Sequence, residues 1–483
     1  MVQTRLGAKL RRLRAENKLT QAQMAQRLDI SPTYLNLLEH NQRPMTAAVL
    51  LKLAQRFSVD VSSFNQDDDS RLLSDVMEAL SDPLFDVHGI KAAEVKEMVT
   101  ASPAVARAIL TLYQAARGAH GIKDGDEAPQ AETLDTPPGE LSYLPGGVPS
   151  EEVSDFLHAN NNYFHKLELA AESLWKEHDL SLENLYQGLV QVLATRFSVD
   201  VAVLPAEAME DTLREYRPLQ RQLRISEMLP LASKVFQIAS QIALLGWEEE
   251  ISALTAGGKF TTHESEQLTH TALANYFAAA VMMPYTRFLE AARNTRHELD
   301  VLQHRFGASF EQVCHRLTTL RRPHAEGVPF HLIRVDVAGN ISKRFGGSGI
   351  QIARFGAACP RWNVYDAFAT PGMLRVQVSQ MPDGSSFFCV AKTISPIGRQ
   401  PHFRPIGARL HHLAIGLGCP LSYAKEMIYA DGLTLSDPKI ITPIGISCRI
   451  CERANCPERA MPSRNFKLVV DENRRGLSAY CYP

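Results

Sequence analysis

From Leu19 to Pro44 the chain reads LTQAQMAQRLDISPTYLNLLEHNQRP, and no other stretch restricts the fold as much. Met24, Ala25 and Leu28 recur at helical spacing after Thr20. Asp29-Ile30 interrupts the run, and Ser31 then stands where an N-cap would open a second helix with Leu35 and Leu38 facing inward. Two short helices joined by a tight turn form a helix-turn-helix. Leu6, Leu10 and Leu13 mark a helix before it, and Val49, Leu50 and Leu53 one after it. Charge agrees: residues 1–65 hold ten Lys and Arg against four Asp and Glu, about +6, in a chain of formal net charge -2. An ordinary helical domain with a basic surface is the competing reading, and turn, cap and charge weigh against it together.

The same stretch resembles the XRE/Cro-type repressor helix-turn-helix. The resemblance rests on the Thr-Gln entry, Ala25, Ile30-Ser31, Glu39 and the following Asn-x-Arg-Pro. In that geometry the first residues of the second motif helix, here Ser31, Thr33, Tyr34 and Asn36, face base edges in the major groove. Gln21, Asn41 and Arg43 are expected near phosphates, contacts that position a domain without reading sequence. Tyr34 has an equal claim to partial core, while Leu37 and Leu38 are expected inside.

At 483 residues the chain has material for two to four domains. After Phe64, Leu72, Val76 and Leu80 recur at helical spacing, as do Ala106 and Leu110. A helical layer over 66–116 could pair two copies, since one such DNA domain usually needs a partner on a two-fold operator; simple packing is the equal alternative. Gly, Pro and acidic residues then dominate RGAHGIKDGDEAPQAETLDTPPGE, which predicts a flexible linker over 117–149. No apolar segment follows the basic N-terminus, and the longest apolar run, VFQIASQIALLGW, is too short to span a bilayer. A soluble cytoplasmic protein without a membrane partner is expected. The eight cysteines are then free thiols or metal ligands rather than a disulfide framework.

Residues 150–325 read as mostly helical, with one strand in FSVDVAVL. ALANYFAAAVMMPY resembles part of the zincin-like ImmA/IrrE metallopeptidases, whose preceding helix carries HExxH: two histidines for zinc and a glutamate as general base. Here that helix reads KVFQIASQIALLGW, and the motif positions hold Ser240-Gln241-Ile242-Ala243-Leu244. The downstream glutamate ligand is also missing, and His263 and His270 lack partners at ligand spacing. Proteolysis has no chemistry to run on, so the fold is expected to survive as a pocket. Arg196, Arg221 and Arg224 are the ligand candidates, because guanidinium forks suit phosphates, with Tyr276 offering a ring and a hydroxyl. Arg214 and Arg217 read as solvated helix-face residues. A phosphate-rich ligand with an apolar tail would match these parts.

From about Val328 strands are expected: a hairpin in HLIRVDVAGNISKRF and a strand in SFFCVAKTI. ARLHHLAIGLGC reads as a helix ending at Gly418-Cys419, and ARFGAACPRW as a compact loop. The stretch CRICERANCP places Cys448, Cys451 and Cys456 at a spacing that can converge on one metal centre. Cys419 is the expected fourth ligand, Cys359 the second choice, and Cys389 reads as buried core. A [4Fe–4S] cluster and structural Zn both fit four cysteines. The missing second C-x2-C and the Cys456-Pro457 ending lean toward iron–sulfur, and free thiols are the remaining reading.

Taken together with ARFGAACPRWNVYDAF and LGCPLSYAKEMIYADGL, these parts resemble the short-chain fatty acyl-CoA regulators over essentially the whole chain. The expected architecture is multidomain and mainly α, with an α+β C-terminal part. Its segments are a helix-turn-helix (1–65), a helical linker (66–116), a flexible linker (117–149), a degenerate ImmA/IrrE-like domain (150–325) and a cysteine-cluster domain (326–483). The resemblance implies a bacterial transcriptional regulator that binds double-stranded operator DNA, is not an enzyme, and senses propionyl-CoA or acetyl-CoA in the middle domain. It also implies a [4Fe–4S] centre in the last domain; a homodimer or higher homo-oligomer is expected. Two other classes compete. A repressor-cleaving metalloprotease would need the absent HExxH, and an antitoxin-like binding module would not need the long cysteine-bearing domain.

Overall fold

The computed structural model describes most of residues 10–57 and 66–120, then 149–395 apart from 211 and 355–357, then 412–464, with isolated positions beyond. The chain forms two compact units, Met1–Tyr113 and Gln114–Pro483.

In the first unit, α1 (Gln21–Leu28) opens on Thr20, which shares a reciprocal capping box with Gln23, and stops at Asp29 in a left-handed conformation (φ 54°). Ser31 then accepts the Tyr34 N–H at 3.1 Å and starts α2 (Pro32–Glu39). Leu10, Met24, Ala25, Leu28, Leu35, Leu38, Val49 and Leu53 close one small core. Leu37 is only half-buried. Further on come α3 (Gln66–Ala79), α4 (Ala92–Ala101) and α5 (Pro103–His120). Leu72, Val76, Ala106 and Leu110 are buried, and the Tyr113 hydroxyl donates to Asp82 at 2.8 Å. Helix α5 thus carries the helical layer to residue 120; residues 121–148 of the acidic stretch lie outside the described residues.

After residue 148 the second unit continues with α6 (Pro149–Ala159), α7 (His165–Glu177) and α8 (Leu185–Phe197). A three-stranded sheet follows, with order β1-β3-β2: β1 (Asp200–Leu204) runs parallel to β3 (Gln222–Ser226), and β2 (Arg214–Arg217) antiparallel to it. Only one of these strands was expected. Arg214 and Arg217 therefore sit on a strand, not a helix face, and Arg221 makes the turn with φ 46°. Helices α9 (Leu231–Gly246), α10 (Glu248–Ala256), α11 (His263–Met282), α12 (Tyr285–Asn294), α13 (Leu299–Phe306) and α14 (Phe310–Thr318) complete the helical layer.

A six-stranded sheet, order β5-β4-β8-β7-β6-β9, forms the C-terminal part. Its strands are β4 (His331–Asp336), β5 (Ile341–Gly346), β6 (Arg375–Gln380), β7 (Ser386–Ile394), β8 (Leu413–Pro420) and β9 (Ile441–Pro443). The expected hairpin is β4–β5 and the expected strand is β7. The expected helix ending at Gly418-Cys419 is instead β8, in the interior of the sheet. Its glycines show why: a Cβ on Gly418 would lie 2.4 Å from the His331 ring and 2.8 Å from the Cys389 sulfur, and one on Gly416 2.9 Å from Ile333. One face of this sheet (Leu332, Phe388, Val390, Ile415, Leu417, Cys419) joins the core of the preceding helices. Its other face (Ile333, Val335, Phe387, Cys389, Ala391, Ala414) closes over Cys359, Trp362 and Ile444. Among the described residues no helix is long and apolar enough to cross a membrane.

Candidate functional site

Three groups of side chains carry the chemistry. On the helix-turn-helix, Ser31, Thr33 and Asn36 are exposed along the start of α2, while Tyr34 is half-buried against the core. The fully buried Glu39 beneath them receives Arg14 Nε at 2.6 Å, Arg14 Nη2 at 3.1 Å and the Gln21 amide at 2.8 Å. Gln21 also donates to Asn36 Oδ1 at 3.3 Å. Burial pushes the Glu39 carboxyl up, but these hydrogen bonds and the Arg14 and Arg11 charges outweigh it and hold it below its ordinary range. Gln21 thus ties α1 to α2 rather than standing free for a phosphate. Arg43 is exposed, and Asn41 lies outside the described residues. The keystone role of Glu39 escaped the sequence reading, because a glutamate at a helix end looks like surface.

In the helical layer, α9 and α11 pack together, with Ser240 Oγ donating to Asn275 Oδ1 at 3.3 Å. Ser240, at the first ligand position of the motif, and Gln241, at the general-base position, are buried. His263 meets Glu266 and Gln267 on the surface, and His270 meets Ser252. Tyr276, expected to face a ligand, is instead in the core: its hydroxyl donates to Glu168 at 2.7 Å and accepts the Phe164 N–H at 3.2 Å. Arg316 grips the same Glu168 through two bonds of 2.6 and 2.9 Å and donates from Nε to the Met283 carbonyl at 3.0 Å. Every group in that network is spoken for, which removes Tyr276 from the ligand candidates.

The arginines part company. Arg196, at the end of α8, pairs with Glu177 at 3.3 Å and lies over the Trp247 ring at 4.9 Å. Arg224 lies on the outer face of β3 beside Gln222 (2.8 Å) and Glu215 (3.8 Å). Arg221 is exposed at the turn. Arg196 and Arg224 share no partner.

Near the C-terminus, Cys448 and Cys456 are half-buried and Cys451 is buried. Cys451 Sγ occupies the space that a Cβ on Gly445 would enter, at 2.9 Å, and Cys448 Sγ accepts the Ala460 N–H at 3.4 Å. The cysteine beside them is Cys359, not Cys419. Burial pushes the Cys359 thiol up, N–H groups of Arg361 and Gly445 oppose this, and charge on Cys448 and Cys451 adds to the rise. Cys419 faces the opposite side of the sheet, among the helical core, 3.8 Å from Met427 Sδ. The strand register excludes it from the loop, so its selection is corrected to Cys359. Arg459 clamps the loop, donating to the carbonyls of Cys448 (2.7 Å) and Cys451 (3.3 Å), while Trp362 Nε1 donates to Gly445 O at 3.1 Å. A glycine cradle and N–H donors to sulfur suit a thiolate-bound centre. As arranged, no three His, Cys, Asp or Glu groups among the described residues converge on one ion position.

Comparison with known proteins follows this division of the chain. Family models match a helix-turn-helix domain over residues 7–62, an IrrE N-terminal-like domain over 194–318, and the C-terminal domain of a short-chain fatty acyl coenzyme A regulator over 319–480. The chain is 39% identical over 471 residues to the HTH-type transcriptional regulator PrpR of Mycobacterium tuberculosis, covering 97% of this chain and 93% of that protein. The chain belongs to the short-chain fatty acyl-CoA regulator family. It is 40% identical to the propionyl-CoA carboxylase regulator of Cereibacter sphaeroides over 475 residues, 98% of each chain. A solved Mycobacterium tuberculosis transcriptional regulator shares its fold at a TM-score of 0.65 with 40% identity, over 69% of this chain and 99% of that one. Like these members of the family, the protein is a DNA-binding transcriptional regulator and not an enzyme.

Proposed function

We propose that this regulator of acyl-CoA metabolism reads a two-fold operator through Thr33, Asn36 and their neighbours on α2, as a homodimer, and that a short-chain acyl-CoA taken up by the IrrE-like domain controls it. The observation that carries the reading is that Ser240 and Leu244 stand where the protease histidines would be, and Gln241 where its glutamate would be, in a domain that matches the IrrE-like model. A domain that keeps its fold and loses its catalyst retains binding as its use. The relatives named for propionyl-CoA carboxylase and for transcriptional regulation support propionyl-CoA, ahead of acetyl-CoA, as the effector. Arg196, Arg221 and Arg224 are the phosphate contacts first suggested by sequence.

Cys359, Cys448, Cys451 and Cys456 would hold a [4Fe–4S] cluster, with zinc as the alternative. Such a centre would supply a staple for the loop and, if it is iron–sulfur, an electron-accepting group. The effector acts only by favouring one arrangement of the DNA-binding helices over another.

The test is fluorescence anisotropy of an operator fragment with full-length protein, titrated with propionyl-CoA, acetyl-CoA and free coenzyme A. A shift in operator affinity with the acylated forms supports the reading. Identical operator affinity with and without all three would sink it. Native mass spectrometry of anaerobically purified protein separates iron–sulfur, zinc and bare thiols by mass and counts subunits.

A further inference from the structure

Neutralisation differs sharply between the two faces of the small sheet. In an antiparallel pair, residues directly opposite share a face. Glu215 opposite Arg224 and Arg217 opposite Gln222 therefore lie on the outer face. There Arg217 pairs with Glu215 at 3.0 Å and Arg224 with the same carboxylate at 3.8 Å. Arg214, opposite the buried Ile225, lies on the inner face, turned toward α9. Among the described residues its one partner is the Gln237 carbonyl, at a long 3.5 Å. No carboxylate among the described residues compensates this half-buried cation, and burial alone lowers its affinity for the proton.

The contact with Gln237 shows which side of α9 lies under the strand. Residues 234, 237, 241 and 244 follow helical spacing along that side. Lys234 is half-buried and forms no ion pair among the described residues. Gln241, only 4% exposed, follows on the same side. Leu244 ends the stripe with an apolar group. Two cations without counter-ions among the described residues, then a largely buried amide side chain, then an aliphatic one follow one another along this side. A half-buried guanidinium left without a counter-ion loses free energy, so a ligand that supplies an anion is favoured.

We propose that β2 and this stripe of α9 together form a phosphate site, in which Arg214 and Lys234 hold the diphosphate of a coenzyme A thioester and the pantetheine arm passes Gln241 toward Leu244. This rests on the proposed uptake of acyl-CoA by the IrrE-like domain. It relocates the anchor from the outer-face arginines to Arg214, the arginine that sequence alone left to solvent. Gln241 stands at the former position of the general base, so one helix stripe exchanges catalysis for recognition.

Isothermal titration calorimetry on the full-length protein tests it, with propionyl-CoA, coenzyme A and phosphate-free pantetheine as ligands. Arg214→Gln and Lys234→Gln should each weaken coenzyme A and propionyl-CoA binding by about tenfold to a hundredfold, the range expected for a lost charge-assisted bond. Arg217→Gln should bind like the wild type, and inorganic diphosphate should compete in the wild type but poorly in the two variants. Lys234 is partly exposed, so its variant tests the site even if Arg214→Gln folds poorly. Wild-type affinity in both variants would overturn the site. If Arg196→Gln or Arg224→Gln alone weakened binding, the effector reading would stand and this location would fall. A wild-type protein that bound diphosphate but neither CoA compound would overturn the effector reading and leave only an anion site. No binding of any of these ligands would overturn both.

Discussion

Removing the Glu168 carboxylate should cost the second unit a large share of its stability. Glu168 and Arg316 are 1% and 0% exposed, joined by two hydrogen bonds, with Tyr276 donating to the same carboxylate. Glu168→Ala leaves the guanidinium desolvated with only Met283 O and Thr319 for company, which places the loss at about 3–5 kcal/mol. Against a typical total of about 5–15 kcal/mol, that is about a fifth at the least. Glu168→Leu with Arg316→Met should recover most of it, since an apolar pair of similar volume carries no desolvation penalty. Tyr276→Phe should lose about 1.5–3 kcal/mol, one bond to a charged acceptor, and leave acyl-CoA affinity unchanged. Urea unfolding followed by tryptophan fluorescence isolates the effect, because Trp175, Trp247 and Trp362 all belong to the second unit. A Glu168→Ala loss below about 1 kcal/mol, or a double variant no better than the single, would refute the reasoning.

On the DNA side, Thr33→Ala and Asn36→Ala should each cost about 1–3 kcal/mol of operator affinity and relax preference at one base pair, whereas Arg43→Ala should weaken all sequences alike and flatten the salt dependence. Electrophoretic shifts on operator and scrambled duplexes at several salt concentrations distinguish the two patterns. The folded Glu39 carboxyl is held low, so its contribution is complete above its unfolded pKa and is lost as the pH falls through the folded one. Acid melts of the first unit, followed by helix circular dichroism, should therefore steepen in the wild type and lose that component in Glu39→Gln. Cys359→Ala should lower the metal content per chain while Cys419→Ala keeps it, measured by elemental analysis of anaerobic preparations. Equal metal content in the two variants would contradict the loop geometry.

Much of this was written locally. Thr20, Asp29 and Ser31 fix the ends of two helices within a dozen residues, so the helix-turn-helix could be read from caps and turn alone. The β4–β5 hairpin and β7 carried their own period and turn chemistry. Strand β8 did not. A short apolar run buried on both faces has no polar side to reveal whether its period is 2 or 3.6, and His-His-Leu-Ala-Ile reads equally well as a helix. That one reading displaced Cys419, because a thiol at a helix end could have swung toward the loop, while one on β8 is fixed on the far face. The β2–β3 pair was hidden differently: its outer face is charged and Arg214 sits on its inner face, so no apolar alternation marked β2. Partners distant in sequence, such as Glu168 with Arg316 or Cys359 with Cys448, leave no trace in spacing at all.

The core that begins at Phe156 continues without a break to Ala430, across the point near residue 318 where the two C-terminal family matches meet. That junction is a seam in pedigree and not in mechanics. A chimera cut there would inherit half of a hydrophobic interior from each parent, with side chains never selected to interlock. Exchange between regulators of this kind is therefore expected to succeed at the acidic, proline-bearing stretch before Pro149, and to yield insoluble chains when made at residue 318. The IrrE-like helical layer and the cysteine-bearing sheet travel together as one heritable part.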